Sequence, residues 1–127
     1  MPGLIEPEMR NYLASGHTSA TNFYLRIAPG KVVFPYGTII KVSPGKGYTH
    51  SDNGANSLFQ TRMQCSCFGT TYQQAKLLAS EVIEDMEAWA GVETDVDAVF
   101  LEGEVDLGED LDISHVAVDF IVFHRFN

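Results

Sequence analysis

The sequence predicts an α+β fold: an antiparallel sheet of about four to five strands packed against one long helix, with a short N-terminal helix. Three observations carry this expectation. Residues 58–68 alternate between apolar and polar positions, residues 71–90 carry an apolar stripe at spacings of three and four, and residues 113–126 alternate again. The chain has 127 residues, 45% of them hydrophobic. That length and composition suit a single soluble domain spanning 1–127, and they exclude intrinsic disorder.

Each element has its own local reason. Leu4, Ile5, Met9, Tyr12 and Leu13 fall at helical spacing, Pro7 is tolerated in a first turn, and Gly16 is a natural stop. Phe23–Ile27 reads as a short strand ended by the turn dipeptide Pro29-Gly30. Thr38–Val42 follows as a strand at a sheet edge, after Pro35 and Gly37. Residues 43–57 hold three glycines, one proline and almost nothing apolar, which is long for a connection in a compact domain. Such a loop either docks on a partner, with Lys46, Tyr48, His50 and Asp52 as its contact residues, or connects without a role.

In 58–68, Phe59, Thr61, Met63, Cys65 and Cys67 share one face, so the two cysteines are expected as buried free thiols. The long helix is expected from Thr71 to Ala90, with Thr70 and Gln73 as a capping box and Gly91 as its stop. Its stripe is Ala75, Leu78, Ala79, Val82, Met86 and Trp89, which assigns Trp89 to the core. Glu81, Glu84, Asp85 and Glu87 crowd the other face toward the C-terminal end, against the helix dipole. Val96–Leu101 reads as a strand running into an acidic connection. Residues 113–126 form the last strand, with Val116, Val118, Phe120 and Val122 inward. At ~3.4 Å per residue that strand would reach about 45 Å, so it must bend or project beyond its sheet. Its second face, mixed in character, suits a contact between subunits.

The formal charge is −9, and it is unevenly distributed. Residues 1–64 carry six bases against three acids, whereas residues 65–127 carry two bases against fourteen acids. This disfavours general binding to a phosphate backbone and permits one copy's basic surface to meet another's acidic surface. No apolar run spans a bilayer, and the first residues lack the pattern of a secretory signal.

No catalytic constellation emerges. Glu102, Glu104 and Asp106 at positions one, three and five of a calcium loop would put Leu107 where glycine is needed and Ile113 where a bidentate acid is needed. His17, His50, His115 and His124 form no ligand pair, and no nucleophile elbow or phosphate-binding glycine loop is present. The expectation is a non-enzyme without cofactor or metal. A rival from another class is an acidic inhibitor that mimics DNA and occupies a nucleic-acid-binding protein. A third is a small-molecule enzyme built on a carboxylate pair that includes Asp119.

The order of features resembles the tail-completion proteins of long-tailed bacteriophages, also called tail terminator or tail-to-head joining proteins. The resemblance runs from about Ile5 to Phe126. It is carried by Phe23-Tyr-Leu-Arg-Ile-Ala-Pro-Gly30, Pro35-Tyr-Gly-Thr-Ile-Ile-Lys-Val-Ser43, Thr61-Arg-Met-Gln-Cys-Ser-Cys-Phe68, Thr71-Tyr-Gln-Gln-Ala-Lys-Leu-Leu-Ala79 and the closing strand Val116–Phe126. It implies a virion protein made in the host cytoplasm and located at the head-tail neck. There a hexameric ring would cap the tail tube, stop its growth and join it to the head-completion (stopper) protein. Its partners would be further copies of itself, the tube protein and the stopper, with genome DNA passing through the lumen without sequence-specific binding. On this reading Glu102, Glu104, Asp106, Glu109, Asp110 and Asp112 face the lumen or its rim, and the 43–57 loop orders against a neighbour or neck partner.

Overall fold

The computed structural model describes residues 4–16, 18–42, 46–47, 59–93, 95–110 and 113–125. Along the chain run α1 (Ile5–Ala14), β1 (Asn22–Leu25), β2 (Tyr36–Lys41), β3 (Lys46–Gly47), β4 (Phe59–Gly69), α2 (Tyr72–Val92), β5 (Val96–Asp110) and β6 (Ile113–His124). The fold is α+β, with one sheet in the order β1-β2-β4-β6-β5 and β3 pairing onto β4.

The sheet is mixed and not wholly antiparallel as expected: β1 runs parallel to β2, and every other pair is antiparallel. The reason lies at the end of β1. Arg26 takes φ 70°, and the Ile27 N–H donates to the Leu25 carbonyl at 2.8 Å, which is a three-residue γ-turn. The chain then makes a connection over residues 26–35 and enters β2 in the same direction as β1, so Pro29-Gly30 is not a hairpin turn.

Strict alternation in β4 and β6 builds the core. Thr61, Met63, Cys65 and Cys67 pair across to Val122, Phe120, Val118 and Val116, and all eight are fully buried. Both helices lie on this side, where the predicted stripe of α2 is buried at all six positions. Burying each large apolar side chain contributes about 1.5–3 kcal/mol relative to leaving it in water. Gly37 is required by a close approach: a Cβ there would meet the Phe23 ring at 2.7 Å. At the far end of the core, Thr61 Oγ1 and His124 Nε2 share a buried hydrogen bond of 2.7 Å, and Phe59 stacks on the His124 ring.

The long helix starts one residue later than its capping box suggested. Thr71 is the N-cap and its hydroxyl accepts from Gln74 N–H at 3.1 Å, while Gln74 Oε1 reaches back to the Thr70 N–H at 2.7 Å. The helix also runs through Gly91 to Val92, since helical backbone needs no special conformation at that glycine. In α1, Ile5, Met9 and Leu13 are buried, and Tyr12 stacks on Trp89 with centroids 5.4 Å apart. The Tyr12 hydroxyl donates to the Asp85 carbonyl; burial and the Asp85 carboxylate push its pKa up. Glu81, from the acidic face of α2, is spent on Ser19, accepting from its N–H and its hydroxyl at 2.8 Å each.

Candidate functional site

The acidic stretch expected as a connection is strand. β5 continues past Leu101 to Asp110 and pairs with β6 along its length. It spends 15 residues against 12 in β6. The surplus falls at three register shifts, which leave Asp97, Glu102 and Leu107 without a partner on β6. Each shift reverses which sequence parity faces which side. Alternation therefore holds only in short runs along β5, and a period-two reading stops at the second shift.

The unpartnered residues have distinct roles. Asp97 receives Arg125, whose Nε and a terminal nitrogen donate at 3.2 and 3.3 Å to its two carboxylate oxygens. Glu102 receives Arg62 at 3.3 Å, on the sheet face opposite the helices. Leu107 lines a shallow cavity of about 370 Å³ with Phe68, Gly108, Ile113 and His115, and Gly108 beside it has φ 85°.

The predicted lumen set is divided by this geometry. Glu104 and Asp106 lie opposite Val118 and Val116, on the helix side, where both contact Lys76 of α2 and Asp106 also accepts from the Tyr72 hydroxyl at 3.0 Å. The hydrogen bond to Glu104 leads in raising the Lys76 pKa. Glu102 serves the opposite face, so these three carboxylates do not share one wall. Glu109 and Asp110 occupy the last two positions of β5, paired with Ser114 and Ile113; Asp112 lies outside the described residues. Among the described residues, no group of histidine, cysteine or acidic side chains could hold a metal ion.

The remaining candidates are placed as follows. Lys46 belongs to β3, whose backbone pairs with Phe59 and Gln60, so the long polar segment contains a short strand where a loop was expected. Tyr48, His50 and Asp52 lie outside the described residues. Cys65 and Cys67 are buried free thiols; their mutual hydrogen bond, then burial, holds the Cys67 thiol well above its usual range. Asp119 accepts from Gln64 Nε2 at 2.8 Å across the sheet, a structural use of that carboxylate. His115 stacks on Phe68 with centroids 4.2 Å apart, and burial lowers its pKa. Phe68 in turn stacks on Tyr36, so aromatic rings line the helix-free face from β2 to β6.

The opposite edge of the sheet differs in charge. Residues 22–41 contain Arg26, Lys31 and Lys41 and no acid, and among the described residues none of the three makes a salt bridge. Ile27 and Val33 beside them are 83% and 66% exposed. Sequence reasoning noted the charge split along the chain and missed that it becomes a split between two edges. The strand order that produces it is not visible in the local pattern.

No family model matches the chain, and no curated protein matches it. Among solved structures it is similar to a chain of the virion of a native gene transfer agent (GTA) particle. The TM-score is 0.69 with 14% sequence identity, over 96% of this chain and 95% of that one. At that identity the likeness is one of fold.

Proposed function

We propose that this protein is a structural subunit of a phage-like virion, and that copies of it form a ring that terminates the tail tube and joins it to the head-completion protein. The observation that carries this is the whole-length fold match to a chain of a gene transfer agent virion, together with the tail-completion pattern of the sequence. Genome DNA passes through the lumen of the ring, where the acidity of β5 has a direct use. Carboxylates there repel phosphate, so the wall lets DNA slide without gripping it. On this proposal Glu102 on one face of β5 and Glu104 and Asp106 on the other border the rim of the lumen, together with Glu109, Asp110 and Asp112 farther along the chain, and the segment carrying Lys46, Tyr48, His50 and Asp52 docks on a neighbour or neck partner.

The mechanism needs no catalytic residue. A ring docked on the last tube layer blocks addition of the next, and its far side offers the surface that the stopper recognises. The rival DNA-mimic reading is less well supported. It requires a free array of carboxylates, whereas Asp97, Glu102, Glu104 and Asp106 are each held by a cation of the same chain.

Electron microscopy of particles made without this protein tests the proposal. Overlong tails, or heads and tails that never join, are expected. Normal, head-joined tails of regular length would overturn it.

A further inference from the structure

The ring reading leaves open which surfaces of neighbouring copies meet. We propose that the β5 edge of one copy packs against the β1–β2 edge of the next, a head-to-tail contact around Arg26, Ile27, Lys31, Val33 and Lys41. This rests on the ring reading and adds the interface.

Three properties of the two edges lead here. The first is charge: β5 carries six acids and no base, while residues 22–41 carry three bases and no acid. Among the described residues, three cations of the same chain, Lys76, Arg62 and Arg125, pair with this strand, so its six acids outnumber them. The second is apolar exposure: Phe100, Leu101, Val105 and Leu107 are exposed on β5, and Ile27, Val33 and Val42 on or beside the other edge. The third is topology: β5 and β1 are the two ends of the strand order, so each has one neighbouring strand in the path.

A long edge strand with exposed apolar side chains invites pairing with another chain. The charges decide which surface it accepts. Two β5 edges would oppose six acids to six, and two basic edges would oppose three cations to three, so both symmetric contacts are repelled. Only the acidic edge against the basic edge is attractive. Such a contact uses different patches on the two copies, and repeating it closes a ring when the rotation between copies allows.

Chemical cross-linking tests this, because Cys65 and Cys67 are fully buried and leave introduced thiols as the reactive ones. The double variant Ile27→Cys/Leu101→Cys, treated with a short bismaleimide, is expected to give a ladder of covalent multimers. Ile27→Cys or Leu101→Cys alone is expected to give none. Cross-linked dimers from Leu101→Cys alone would show β5 meeting β5 and overturn the proposal. As a second measurement, Arg26→Glu/Lys31→Glu/Lys41→Glu and Glu102→Lys/Glu109→Lys/Asp110→Lys should each lose self-association in sedimentation, with circular dichroism unchanged, and an equimolar mixture should recover it. Wild-type-like assembly by either variant alone would overturn the edge contact while leaving the ring reading intact. A wild-type chain that stays monomeric even on tube ends would overturn both.

Discussion

β5 and β6 are neighbours in one sheet, yet they obey different rules. β6 keeps its alternation through 12 residues, and from Val116 to Val122 its inward positions are all sealed under α2. β5 slips three times against it and exposes Phe100, Leu101, Val105 and Leu107. A strand between two others is fixed on both sides, and a slip of one residue would turn its whole core face outward. An edge strand has one free side and can absorb extra residues as bulges. Position in the sheet, more than composition, determines how strictly a strand must follow the two-residue period.

The largest test of the difference uses one rung of the ladder. Phe120 on β6 is fully buried, and its partner Leu101 on β5 is 42% exposed. Phe120→Ala should cost about 3–5 kcal/mol in denaturant unfolding, whereas Leu101→Ala should cost about 1 kcal/mol or less. Equal losses would mean that β5 is held as tightly as β6. The next concerns the shifts themselves. Gly108 has φ 85°, so Gly108→Val should destabilise by about 1–2 kcal/mol. Gly103 lies at the second shift with open space around it, and Gly103→Ala should be close to neutral.

A smaller effect is expected from pH. Burial lowers the His115 pKa, so the folded state prefers the neutral ring. The unfolded chain then binds the proton more readily. The stability that His115 contributes is complete above the ordinary histidine value of about 6.5, and it is lost as pH falls through the lower folded value. His115→Phe keeps a ring against Phe68 and should flatten the stability profile of the wild type in that window. The smallest effect belongs to the surface ion pairs of β5. Lys76 is exposed, and Lys76→Gln should leave the unfolding midpoint unchanged within error.

What could be read from the sequence follows the same division. The buried faces of β4, α2 and β6 were legible residue by residue, because burial against one partner imposes a period of two or 3.6. The α2 cap was displaced by one residue, since Thr70 and Thr71 are both able to cap and only the backbone path chooses between them. The acidic half of β5 read as a connection because shifts at Glu102 and Leu107 interrupt the alternation within a few residues. The parallel pairing of β1 and β2 was hidden for another reason: Arg26 adopts a backbone conformation that its residue type rarely shows. The candidate site was legible as a run of carboxylates. Its division between faces, and the basic edge across the sheet, depend on strand order.

The chain has one tryptophan, Trp89, and it sits in the seam where α1 meets α2, stacked on Tyr12. Nature has thus supplied a single optical probe at a single joint. Its fluorescence will report when the first helix lifts away, separately from the melting of the sheet, without any label being added.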